Sequence, residues 1–226
     1  MNLIIFDIDG TLVDSVVTDD QCFIRAFADL YGIDLSGIDW STFKHVTDSG
    51  LTRDLFKIHL GKEPTEQEIC ALKKHFYDLL HMRKSEMTEI RGARKALTML
   101  EAQPEIALAL GTGGWEETAK LKLSILGYEP LDLPLVTANH HISRIDITRQ
   151  AIQESLIKEQ VTSFDSITII GDGLWDLRTA QDLGINFIGI DYHSSAKLVE
   201  AGARNVMTDL TRTEQIMEWV LPEGNM

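Results

Sequence analysis

The sequence predicts an α/β protein, a doubly wound parallel sheet carrying a small all-helical domain. Three observations predict it. A short apolar run, Leu3 to Phe6, stops abruptly at Asp7, Asp9 and Gly10, the pattern of a buried strand. Residues 15 to about 88 then show only helical spacing. From Gly92 onward, short apolar runs alternate with helical stretches, as they do when parallel strands are crossed over by helices on both faces. The expected division is an α/β core of residues 1–14 and 89–226 with the helical domain at 15–88.

The elements can be justified in order. Cys22, Phe23, Ala26, Phe27, Leu30 and Tyr31 recur at helical spacing, and Gly32 closes that helix. A second helical stretch covers about 41–59, broken near Asp48–Gly50. Thr65 and Glu68 form a capping box ahead of Ile69, Leu72, Phe76, Leu79 and Leu80, which share one stripe. Ala96, Leu97 and Leu100 mark a helix, and Ile106–Leu110 is a strand ending in Gly111-Thr112-Gly113-Gly114. A helix from Trp115 to Leu126 stops at Gly127, and Leu133–Val136 is a short strand. Ser143 and Asp146 cap a helix running past Leu156. Ile167–Ile170 is a strand ending in Gly171-Asp172, followed by a helix to Leu183. Ile185–Ile190, a short helix at 194–201, a minor strand near Val206 and a helix at 213–220 complete the chain.

Composition narrows the function. The 226 residues are 44% hydrophobic, enough for a sizeable core. A net charge of −14 excludes nucleic acid and anionic membrane as partners, because phosphate backbones demand Lys and Arg. The two cysteines, Cys22 and Cys70, both fall on apolar helical stripes, so buried thiols and a reducing cytoplasm are expected. No apolar run reaches the ~20 residues that span a bilayer. A soluble, cytoplasmic monomer is the expectation.

The chemistry gathers where strands end. Ligands of doubly wound sheets bind beyond the carboxyl ends of the strands. Asp7, Asp9, Thr112, Asp172 and Asp176 all sit there, far apart in sequence and converging on one edge. In a strand, positions two apart face the same side, so Asp7 and Asp9 are paired carboxylates that repel unless a cation relieves them. A carboxylate can attack phosphorus, a second can move protons, and magnesium takes oxygen ligands. Thr112 offers a hydroxyl and Gly113 an unhindered backbone N–H to phosphoryl oxygens.

These motifs resemble those of the haloacid dehalogenase superfamily. DIDGTLVD is similar to its first motif, LALGTGGW to its second and IIGDGLWD to its acidic fourth, and the helical insertion between the first two is similar to the family's cap. The resemblance implies a Rossmann-like core and a magnesium-dependent phosphatase acting on a small phosphorylated substrate. It implies Asp7 as nucleophile and metal ligand, Asp9 as general acid/base with its backbone carbonyl on the metal, and Asp172 as a further metal ligand. Asp176 would support the metal or hold the cation of the site. The third motif is normally a lysine; here Arg144 stands in its place, in the first turn of a helix whose dipole opposes a cation. Lys120 and Lys122, on the helix after the second motif, read instead as a solvated face. The break at Thr47–Arg53 resembles a substrate-specificity loop, with Arg53 reaching an anionic substrate. A sugar phosphomutase and a phosphonatase using Lys44 or Lys57 belong to the same resemblance. A phospho-acceptor signalling domain is set apart by the long helical insertion, and a non-catalytic binding module by the retained carboxylates.

Overall fold

The computed structural model of the chain describes residues 1–127 and 132–221. β1 (Asn2–Phe6) is buried along its whole length. The chain turns through β2 (Val13–Asp14) into the helical insertion: α1 (Val16–Tyr31), α2 (Asp48–Leu60) and α3 (Glu66–Met82). It returns through β3 (Thr88–Glu89), which pairs antiparallel with β2. Then follow α4 (Ala93–Glu101), β4 (Ile106–Gly111), α5 (Glu116–Leu123), β5 (Leu135–Val136), α6 (Arg144–Glu159), β6 (Ser166–Gly171), α7 (Leu174–Leu183), β7 (Asn186–Ile190), α8 (Lys197–Glu200), β8 (Asn205–Met207) and α9 (Thr213–Val220).

The six longer-range strands form one parallel sheet in the order β5-β4-β1-β6-β7-β8. β1 lies between β4 and β6, with Ile4 opposite both Leu108 and Thr168. Strand order reverses around β1, so the loops leaving β1, β4 and β6 open onto one crevice. Alternation sorts the side chains to two faces. Leu3, Ile5, Ala107 and Ala109 pack beneath α6 at Ile147 and Ala151, whereas Ile4, Phe6, Leu108 and Leu110 join the larger core with Leu97 and Leu100.

Two expectations need correcting. The helical stretch over 41–59 is a 3-10 turn at Trp40–Thr42 followed by α2 from Asp48. Thr47 delays the start: it is extended, and its hydroxyl accepts the Gly50 N–H as N-cap. Cys70 is exposed. α3 buries Leu72, Phe76 and Leu80, and a residue two before Leu72 points away from that stripe. The Thr65/Glu68 capping box is present.

Aromatic rings join the insertion to the sheet domain. Phe76 of α3 meets Phe23 of α1 at 5.4 Å and Trp115, just before α5, at 6.1 Å, both edge-on. Trp115 is fully buried, and its indole N–H donates to the Ser49 hydroxyl at 2.9 Å. Truncating the ring at the centre of this joint leaves a cavity between the two parts. Phe76→Ala is expected to lower stability by about 3–5 kcal/mol, read from urea unfolding.

Candidate active site

Asp7 follows β1 directly, and its N–H still donates to the Ile170 carbonyl at 2.9 Å, which holds it at the end of the β1–β6 ladder. Asp172 leaves β6 and Asp176 sits in the first turn of α7, where its carboxylate accepts the Gly173 N–H at 3.1 Å. The three carboxylates bring oxygen atoms within 4.8 Å of one another. Gly10 permits this approach: its φ is +71°, and a Cβ there would lie 2.5 Å from the Asp172 carboxyl.

Arg144, the first residue of α6, reaches into this group. Its Nη1 donates to Asp7 Oδ1 at 2.9 Å and to Asp176 Oδ1 at 3.2 Å, and its Nε to the Val46 carbonyl at 3.2 Å. The guanidinium also lies 5.8 Å from the Trp175 ring. One cation does not balance the burial. Desolvation pushes Asp7 up to about 7, against Arg144 and helped by the charges of Asp176 and Asp9. Asp172 also rises to about 7 by burial, against Lys197 at 3.6 Å. Burial takes Asp176 to about 6, against Arg144.

Asp9 belongs to a second cluster. Its carboxylate faces Lys122 of α5, whose Nζ is 2.7 Å from Oδ1 and 2.9 Å from Oδ2. The Ser15 hydroxyl donates to Oδ1, and Lys122 also ion-pairs with Asp19 of α1. Lys122 is 1% exposed. Burial works against its charge, but Asp19, Asp9 and Asp48 outweigh that and hold its pKa above the usual lysine range.

The β4 loop supplies the third wall. Thr112 is buried and its hydroxyl accepts the Gly114 N–H at 3.0 Å. A Cβ at Gly113 would meet the Arg144 guanidinium at 2.6–2.8 Å, so only glycine lets the loop lie against that cation. A cavity of about 100 Å³ opens over these groups. Asp7, Asp9, Asp172, Gly113, Gly114, Arg144 and Trp175 line its floor side, and the insertion contributes Asp19, Asp20, Phe23, Trp40, Asp48 and Leu51. Trp40 hydrogen-bonds Asp20, whose carboxyl burial raises to about 6.

A family model described as haloacid dehalogenase-like hydrolase matches residues 4–190, a span that runs from β1 through the insertion to β7. The chain belongs to that family. Among solved structures, a hydrolase from Pseudomonas syringae has a TM-score of 0.70 at 20% identity, covering 98% of this chain and 100% of its own. CbbY from Rhodobacter sphaeroides in complex with phosphate gives 0.68 at 18%, covering 93% and 95%. A predicted phosphoglycolate phosphatase from Haemophilus somnus gives 0.66 at 20%, covering 96% and 97%. At these identities the likeness shows the shared fold. No curated protein matches the sequence.

Within this haloacid dehalogenase-like hydrolase, Asp7, Asp9, Gly113, Arg144 and Asp172 line one cavity, and Thr112 and Asp176 stand directly behind it. The carboxylate trio that suits a cation is Asp7, Asp172 and Asp176, while the Asp9 side chain turns to Lys122 and Ser15. Arg53 is exposed and off the cavity wall. α2 buries Leu51, Thr52, Leu55 and Phe56, and Arg53 falls on the opposite face. Lys122 is not on a solvated face. Charge spacing hid it, whereas packing spacing reveals it: Trp115, Ala119 and Lys122 recur at i, i+4 and i+7 along one buried side. Asp19 could have been found in the same way, one turn before Phe23.

The raised carboxyls carry a sign that can be checked. Each binds its proton more tightly folded than unfolded, so the stability it contributes is whole below its ordinary value of 3.8 and lost as pH rises through about 7. In chelator, Tm should fall as pH rises from about 4 to about 7, and magnesium added above pH about 7 should restore it, because a cation binds the ionised folded site. Differential scanning calorimetry across pH, with and without magnesium, reads both effects.

Proposed function

We propose that the protein is a magnesium-dependent phosphatase that hydrolyses a small phosphorylated metabolite through an aspartyl-phosphate on Asp7. The observation that carries this reading is the Asp7–Arg144 pair at 2.9 Å, set against the Gly113 backbone and facing a cavity of about 100 Å³. Arg144 occupies Oδ1 of Asp7, so Oδ2 is the oxygen offered to phosphorus. As that bond forms, the bond to the leaving alcohol breaks, and Asp9 donates the proton the alcohol needs. Asp9 then takes a proton from water, whose oxygen displaces Asp7 from phosphorus and frees phosphate. The Thr112 hydroxyl accepts the Gly114 N–H behind the cavity and so positions the loop, leaving the Gly113 N–H and Arg144 to meet a phosphoryl oxygen.

The donor set fits magnesium: three carboxylates, oxygen only, whose ionisation burial resists against Arg144 and a bound cation would favour. Asp7 and Asp172 would hold the ion, with the Asp9 carbonyl, and Asp176 would support them. Bound there, magnesium would neutralise charge on the transferring phosphoryl group. Asp7→Asn is expected to abolish trapping of a phosphoenzyme, and Asp9→Asn to lower kcat by about 10²–10⁴-fold, both measured with a phosphate-release assay in magnesium. Unchanged turnover in Asp7→Asn would remove the mechanism.

Charge around the cavity favours hydrolysis over phosphate migration. A mutase must cradle phosphate at either end of its cavity. Among the described residues lining this one, Arg144 is the one cationic side chain, and it pairs with Asp7; the insertion's share of the lining carries Asp19, Asp20 and Asp48. A phosphonatase would need a lysine in the cavity, yet Lys44 and Lys57 are exposed and Lys57 pairs with Glu63 at 2.7 Å. CbbY has been solved with xylulose-1,5-bisphosphate. Here a second anion would face carboxylates, so monoesters with an uncharged leaving alcohol should exceed phosphoglycolate and sugar bisphosphates in kcat/KM by at least about tenfold, or about 1.4 kcal/mol. A substrate panel at fixed magnesium measures that ratio.

A further inference from the structure

We infer that Lys122 is a positioning residue: it fixes the proton-transfer carboxyl of Asp9 against the cavity wall and ties it to helix α1 through Asp19. The inference rests on the phosphatase reading. Asp9 sits on a loop that turns at Gly10, and nothing in a loop position by itself fixes a carboxylate rotamer. Lys122 does so from behind. Its Nζ spans both Asp9 oxygens at 2.7 and 2.9 Å, and Ser15, the residue before α1, donates to one of them. The same ammonium pairs with Asp19, so a core helix and the helical insertion grip Asp9 together. Lys122 is not among the cavity-lining residues, whereas Asp9 and Asp19 are. It therefore acts through Asp9 and does not meet the substrate.

Asp9 serves both steps of the proposed reaction, but only its proton donation depends on the leaving group, and kcat/KM reads that first phosphoryl-transfer step. Proton transfer to the leaving oxygen contributes about 10²–10⁴-fold, and displacing a catalytic group by about 1 Å can cost ~10²-fold. A leaving group that is stable as an anion needs no proton. The test is therefore a comparison of leaving groups in the full-length protein with magnesium. Against an alkyl phosphate such as glycerol phosphate, Lys122→Met should lower kcat/KM by about 10²-fold. Against 2,4-dinitrophenyl phosphate the same variant should keep kcat/KM within about threefold of wild type. A purely architectural lysine would lower both rates together.

Removing a buried cation leaves carboxylates unpaired, so Lys122→Met can fail to fold for that reason alone. The double variant Lys122→Met/Asp19→Asn removes the pair as a unit and carries the same expected leaving-group dependence. Circular dichroism establishes which variants are folded. Equal losses on both substrates, or no loss on either, in a folded variant overturns the inference, as does failure of both variants to fold, since Lys122 is then architectural. Wild-type protein inactive on both substrates overturns the phosphatase reading instead.

Discussion

The packing of four aspartates at one sheet edge is the constraint on which this structure turns. Asp7, Asp9, Asp172 and Asp176 are brought together because β1 and β6 are neighbours and end level with each other. Carboxylates in that position resist ionisation, which is why burial dominates the upward shifts at Asp7, Asp172 and Asp176. The surroundings answer that cost with geometry. Arg144 enters from α6 to bridge Asp7 and Asp176, and glycines stand wherever a Cβ would collide with a charged group, at Gly10 against Asp172 and at Gly113 against Arg144.

The site separates its charges into two groups with different partners. Asp7, Asp172 and Asp176 share Arg144 on the sheet side, while Asp9, Asp19 and Asp48 surround Lys122 on the side of the insertion. Asp7 and Asp9 are two residues apart and belong to different groups. That division gives the two carboxylates different environments, the condition under which neighbouring acids take different chemical roles. It also shows where part of the net charge of −14 lies: around the cavity, which Asp7, Asp9, Asp19, Asp20, Asp48 and Asp172 line.

The strands and the residues at their ends were legible because buried parallel strands are short, apolar and closed by glycine. Asp7, Thr112 and Asp172 are found from that pattern alone. Arg144 was found through the resemblance, which expects a cation at that position, and its place in the first turn of a helix, against the dipole, supported the choice. What escaped depends on packing. β2 and β3 are two residues each, too short to show alternation. The extended segment before α2 is set by the Thr47 side chain and not by any break in apolar spacing. Lys122 and Asp19 look like ordinary surface charges until their helices are docked, since helix faces are assigned by apolar content and a buried ion pair has none. Arg53 failed for the opposite reason: a cation near a helix start looks available for a substrate, but the burial of Thr52 and Leu55 turns it outward.

The start of α2 links these two halves of the site. The Asp48 N–H donates to the Gly113 carbonyl at 2.8 Å, and the Asp48 carboxylate accepts the Trp115 N–H at 2.8 Å. Thr47 and Ser49 donate to the carbonyls of Ile142 at 2.7 Å and Ala138 at 2.6 Å. Four consecutive contacts thus dock one helix end on the loops that follow β4 and β5. Those loops carry Gly113 and lead into Arg144, so any rotation of α2 must pull on the backbone beside the Asp7–Arg144 pair. Fixed backbone dipoles stabilise a developing charge only while they stay fixed. In the proposed phosphatase the seating of the helical insertion would therefore be part of the phosphoryl-binding geometry itself, a role beyond covering the cavity.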